Sequence, residues 1–151
     1  MIDNDIPQQT VLYYSKGYSI FKHILGLCLI GSAIGALLMS KKYNVFLILG
    51  ALLFIVLGVF NFIKGLRQFI DKRAQVIIDN NGIKTVNTKF YEWSYIKNDE
   101  VIAEGQGRFT TFYLVYDYPE GTEKLLINDY PIDQPTLIKL LRTYRGRYNK
   151  K

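Results

Sequence analysis

The residues of this chain best suited to chemistry are few, and their spacing serves no familiar reaction. There is one histidine, His23, and one cysteine, Cys28. A structural zinc site takes four ligands, usually thiolates or imidazoles, so neither a metal nor a cofactor is expected. His23 opens a long apolar run, which leaves no Ser-His-Asp set in a soluble part of the chain. Carboxylates occur in pairs such as Asp99-Glu100, but adjacent residues on a strand point to opposite faces. Asp99, Glu100 and Glu104 read more simply as a solvated loop or edge. Gly105-x-Gly107-Arg108 looks like part of a phosphate loop, yet it lacks the Lys-Ser/Thr pair and the helix that follows. The parts of an active site are missing, and the chain reads as non-enzymatic.

What the chain does have is a concentrated apolar segment. The 151 residues are 49% hydrophobic and the mean hydropathy is close to zero, but the apolar residues crowd into one third of the sequence. From Tyr43 to Ile63 run 21 residues without a charge, about 31 Å of helix, which matches the ~30 Å hydrocarbon layer of a bilayer. From Ile24 to Ser40 run 17 more, and a snorkelling Lys22 extends that helix back to about Tyr18. VFLILGALLFIVLGVF carries no polar stripe, as a helix on a soluble core would. A second apolar run follows almost at once, unlike a secretory signal peptide. The reading is a transmembrane hairpin over 18–63, with spans of about 18–40 and 43–63. Cys28 packs inside the first span as a small apolar residue.

The link Ser40-Lys41-Lys42-Tyr43-Asn44 is too short for anything but an antiparallel pair, so both termini fall on one side. Lys16, Lys22, Lys64, Arg67, Lys72 and Arg73 flank the outer ends, against Lys41 and Lys42 at the turn. The positive-inside rule then places both termini in the cytoplasm, and the expected location is the bacterial inner membrane. Gly31 and Gly35 form a GxxxG spacing, and Gly50 and Gly58 are small positions on the second helix. Small residues let helix backbones approach in lipid. The face serves either packing within the hairpin or homodimerisation. No acidic residue lies in either span, so an ion or proton pathway lacks its parts.

Residues 64–73, KGLRQFIDKR, read as the second helix running on through the headgroup layer, with Leu66, Phe69 and Ile70 on one face. From Ala74 the pattern turns to strands. Asp79-Asn80-Asn81-Gly82 is a hairpin turn whose Asn and Gly tolerate positive φ. Five to seven short strands are expected between 74 and the last helix. Asp133 is the N-cap of that helix, Pro135 fits its first turn, and Leu137, Leu140, Leu141 and Tyr144 give one apolar face. Gly146 marks its expected end, leaving 146–151 as a basic tail. Trp93 is expected to plug the β-domain or pack under the last helix, or else to anchor at the bilayer interface.

VIIDNNGI (Val76 to Ile83), YEWSYI (Tyr91 to Ile96) and TLIKLLRTY carry a resemblance to small bacterial proteins in which a two-helix membrane hairpin precedes a bacterial PH-like domain. In such proteins the first strand pair reads hydrophobic-Asp/Glu-Asn-Gly-Ile, and a Trp opens the segment before the third strand. The resemblance implies an α+β membrane protein with a PH-like antiparallel β-barrel or sandwich over 74–145, closed by the C-terminal helix. The segment 1–17 would be a cytoplasmic lead. The function of the family is largely uncharacterised.

The net charge is +6, and residues 64–151 hold 15 Lys/Arg against 11 Asp/Glu. Lipid headgroups, closer than nucleic acid to a tethered domain, are the expected anionic partner. Lys64, Arg67, Lys72, Arg73, Arg142, Arg145 and Arg147 are the candidate contacts. The Asp-Asn-Asn-Gly turn holds no base, which argues against an inositol phosphate site. Three functions fit: a membrane-anchored module that binds a protein partner or self-associates, a membrane immunity protein against a secreted toxin, and anionic-lipid sensing through the basic tail. Nucleic acid is not an expected partner.

Overall fold

A computed structural model of the chain describes residues 6–40, 44–107 and 110–150. The turn lysines Lys41 and Lys42, and Arg108 and Lys151, lie outside the described residues. The chain divides into two compact units, residues 14–72 and residues 1–13 with 73–151.

The first unit is a helical hairpin of α1 (Lys16–Met39) and α2 (Val45–Ile70). Ser15 caps α1 by accepting from the Tyr18 N–H, and Asn44 Oδ1 caps α2 by accepting from the Leu47 N–H at 2.7 Å, which satisfies donors a helix start leaves orphaned. Both helices are long and apolar enough to cross a membrane. The stretch 64–70 belongs to α2 without a break. The buried positions on α1 include Ser19, Gly26 and Ala33, and those on α2 include Ala51, Gly58 and Gly65. Each set repeats every seven residues, the period that keeps a helix seam facing its partner. Backbones nearly touch along this seam. A Cβ on Gly26 would sit 2.7 Å from the Gly58 carbonyl oxygen, and one on Gly65 would sit 2.6 Å from His23 Nδ1.

This seam departs from the GxxxG expectation. Gly31, Gly35 and Gly50 have nothing within 4 Å of where a Cβ would stand, and of the four expected packing glycines only Gly58 is at a close approach. Spacing by four selects a right-handed crossing, whereas the seven-residue repeat of small residues is the one this hairpin uses.

The second unit holds seven strands among the described residues, in two antiparallel sheets. One is ordered β1 (Gln9–Leu12), β2 (Val76–Asp79), β3 (Gly82–Thr85), β4 (Tyr91–Glu92); the other β5 (Lys97–Glu104), β6 (Thr111–Tyr118), β7 (Gly121–Leu126). Among the described residues no strand pairs from one sheet to the other, so the expected barrel is not closed. The reason is local. The aromatic stretch turns after two strand residues, with the Tyr95 N–H bonded to the Glu92 carbonyl, and the chain leaves the first sheet there. The N-terminal segment 1–17 holds a strand that was not expected there, β1. It pairs with β2 from Gln9 opposite Asp79 to Leu12 opposite Val76.

A short 3-10 turn (Ile127–Asp129) precedes α3 (Gln134–Tyr148). Asp133 Oδ1 accepts from the Thr136 N–H at 3.2 Å. The helix runs through Gly146 to Tyr148, past its expected end, and buries Leu137, Leu140, Leu141 and Tyr144. Each such leucine contributes about 1.5–3 kcal/mol by leaving water. The core they join includes Ile78, Ile83, Ile96, Leu114 and Tyr116. A polar link crosses it: Glu123 on β7 accepts from Thr85 Oγ1 on β3 at 3.3 Å and from Asn87 Nδ2 at 3.0 Å.

The first hairpin turn also differs from expectation. Neither Asn80, Asn81 nor Gly82 has positive φ. Instead Asp79 Oδ1 accepts from the N–H groups of Asn81 and Gly82 at 2.7 and 2.9 Å, an Asx turn. Glycine is required at 82 by space: a Cβ there would lie 1.9 Å from the Tyr91 carbonyl oxygen.

Candidate functional site

The residues that drew attention as chemistry are not brought together. The His23 ring packs edge-on to Phe62 and Phe69, at 5.0 and 6.4 Å between centroids. Its Nδ1 lies 2.9 Å from the Ser19 carbonyl. A carbonyl only accepts, so that nitrogen carries the proton. Cys28 is exposed on α1. No group of three or more His, Cys, Asp or Glu residues suited to a metal ion occurs among the described residues. Asp99 and Glu100 are on β5, the edge strand of its sheet, which meets the edge alternative and not the loop. Asp99 is half-buried and ion-pairs with Arg145, while Glu100 is exposed.

Polar chemistry in the hairpin is concentrated at the end where the two helices meet the rest of the chain. Lys22 is only 7% exposed. Its ammonium donates to Gln68 Oε1 across the helix pair at 2.9 Å and lies 4.4 Å from the centroid of the Tyr18 ring. Lys22 therefore turns into the seam and does not snorkel outward. A cation in a dry seam needs hydrogen-bonding partners, and Gln68 supplies one. Sequence reasoning missed Gln68; its signal is an amide three residues after Gly65, in register with the seven-residue seam of small residues.

In the β-unit the notable construction is a clasp on the N-terminal segment. Arg147 donates from Nη1 to the Pro7 carbonyl at 3.0 Å and from Nη2 to the Ile6 carbonyl at 2.9 Å. Thr10 Oγ1 and Tyr144 Oη are 2.7 Å apart. Two residues back from Arg147, Arg145 donates to the Ile96 carbonyl, pairs with Asp99, and stands 5.7 Å from the Trp93 ring centroid. Trp93 is 2% exposed and donates from Nε1 to the Asp79 carbonyl at 2.9 Å. This places Trp93 in the core and ties α3 to both sheets. Of the bases expected at lipid, Arg145 and Arg147 are thus engaged within the fold. Lys64, Arg67, Lys72, Arg73 and Arg142 are exposed.

Two surface features remain. A polar cleft of 510 Å³ is lined by Asn98, Asp99, Glu100, Val115, Asp117 and Arg145. Asn98 stands at φ 50° beside a β-bulge. Hydrogen bonds from Thr122, at 2.6 Å, and Asn98, at 2.7 Å, hold the Asp117 carboxyl below its ordinary range. Nearby, Lys89 and Glu120 pair at 2.7 Å; Lys89 titrates higher and Glu120 lower for it. Burial, and then the neighbouring Glu120 carboxylate, push the Tyr91 hydroxyl up. In the hairpin, an open apolar groove of 340 Å³ lies between Ala33, Ala36, Gly50 and Ala51.

Comparison of the chain with protein-family models, with curated proteins and with solved structures finds no match.

Proposed function

We propose that this chain is a non-enzymatic, membrane-anchored module: the hairpin crosses the bilayer and tethers a PH-like β-domain at one face, the inner face of a bacterial membrane, where the domain self-associates or holds a protein partner. The observation that carries the reading is the pairing of β1 with β2. One strand precedes the hairpin and the other follows it. A chain that leaves a sheet, makes two apolar helices and returns to the adjacent strand of the same sheet has both hairpin ends on one side. That is the topology of a one-sided anchor.

Exposure supports it further. Among the apolar side chains left bare on the hairpin are Met39 at 86% and Phe46 at 85%. Water would penalise such a surface, whereas lipid accepts it. The helices, of 24 and 26 residues, measure about 36 and 39 Å, enough for the ~30 Å hydrocarbon layer with turns left over at the ends. The exposed Lys64 and Arg67 on the last turns of α2 suit an anionic leaflet. Lipid sensing through the tail has less support, since Arg145 and Arg147 are used inside the fold.

Carbonate washing of membranes at alkaline pH, followed by mass measurement in lipid nanodiscs, tests the reading. The chain should stay in the pellet and travel with a second chain. Release into the supernatant, or a strictly solitary chain in lipid, would count against it.

A further inference from the structure

We infer that the outer edge of β2 together with the last two turns of α3 forms a strand-addition site, held in cis by residues 6–12, and that the same site takes residues 6–12 of a second copy, so that neighbouring chains in a bilayer exchange N-terminal strands. The inference rests on the anchored reading, which places copies on one side and at high local concentration.

β2, β3 and β4 keep their own ladder, and Val76, Ile78, Ile83 and Trp93 are buried in the domain's core. The strand's own hold is local. Four residues pair with β2, and within β1 only Leu12 is buried. Further grips among the described residues include Thr10 on Tyr144, the Leu12 carbonyl on the Gln75 N–H at 2.8 Å, and Arg147 on two carbonyls. Arg147 and the ladder read backbone, so any segment of the same register satisfies them, and an identical copy does so with its side chains as well. Only Tyr13, Tyr14 and Ser15 separate β1 from α1. Exchange between identical chains through so short a connection yields a two-fold, self-complementary pair.

Val11 and Ile77 are register partners and both are half-buried, which makes them suited to a cross-link. In a Cys28→Ser full-length chain, Val11→Cys and Ile77→Cys placed together should form an internal disulfide under mild oxidation in lipid vesicles. Mixed vesicles holding Val11→Cys chains and Ile77→Cys chains should form a linked dimer whose share rises with the protein-to-lipid ratio. Val11→Cys mixed with Tyr95→Cys, an exposed site off the β2 edge, should form none. A mixed pair that never links while the internal disulfide forms would overturn the exchange. So would equal linking at position 95, or failure of the internal disulfide itself. Carbonate extraction of the same vesicles reports separately on anchoring: release there refutes the anchor, whereas an anchored chain that fails to cross-link refutes the exchange alone.

Discussion

The hydroxyl of Thr10 lies 2.7 Å from that of Tyr144, 134 residues away in sequence and across the whole helical hairpin. With the two Arg147 bonds to Ile6 and Pro7, this contact makes the N-terminal segment a working part of the C-terminal domain. The first consequence concerns Arg147. Arg147→Ala removes both grips, and hydrogen bonds of charged donors contribute about 1.5–3 kcal/mol. Thermal unfolding should show a loss of that order, with residues 6–12 losing amide-exchange protection first. Protection unchanged from that of the parent chain would argue against the clasp.

Arg145 and Arg142 give a matched contrast. Arg145→Ala removes the partner of half-buried Asp99 and the contacts to Trp93 and Ile96. It should cost about 1.5–3 kcal/mol, with a change in tryptophan fluorescence. Arg142 is exposed, so Arg142→Ala should stay within about 0.5 kcal/mol. Equal effects of the two would refute the assignment.

Glycines in the hairpin sort by the seven-residue seam. Gly26→Val and Gly58→Val place side chains against backbone and should each cost about 1–3 kcal/mol by overpacking. Gly31→Val and Gly35→Val point into open space and should leave hairpin stability within about 0.5 kcal/mol. Unfolding in detergent micelles measures this; the opposite ranking would return the hairpin to the GxxxG face. Gln68→Leu removes an acceptor from buried Lys22 and should cost more than the double change Lys22→Leu with Gln68→Leu.

Stability should fall in acid through Asp117 and Asp133. Hydrogen bonding from Thr122 and Asn98 lowers the first, and from Thr136 the second. A folded value below the unfolded ~3.9 means the contribution is complete above about pH 5 and is lost as pH falls through the folded values. Thr122→Val should flatten the acid limb of a stability profile. A limb of unchanged slope would show that Asp117 does not contribute.

The two long helices were legible in the sequence because length and apolar composition alone specify them, with no partner required. The C-terminal helix was legible for a related reason: Asp133, Pro135 and the four apolar positions act locally. β1 was not. QTVL is four residues long, and what makes it a strand is an edge more than sixty residues away. Gly82 was singled out for φ, whereas its neighbour Tyr91 decides it by close approach. The GxxxG pattern drew attention from Ser19, Gly26 and Ala33, whose heptad spacing is equally visible in the sequence. Lys22 reads as an interfacial snorkel in the sequence because Gln68, its hydrogen-bond partner, sits on the other helix. The clasp residues Arg145 and Arg147 looked like free charge, since their acceptors are backbone carbonyls that no side-chain pattern announces.

The central claim is that the hairpin is a one-sided anchor whose two ends enter one cytoplasmic domain. Protease protection of a doubly tagged chain in sealed inverted membrane vesicles tests it most directly. Both the N-terminal and the C-terminal tag should be digested without detergent, since the cytoplasmic face points outward there. Protection of both would invert the orientation, and protection of one tag alone would contradict the pairing of β1 with β2 and the account built on it.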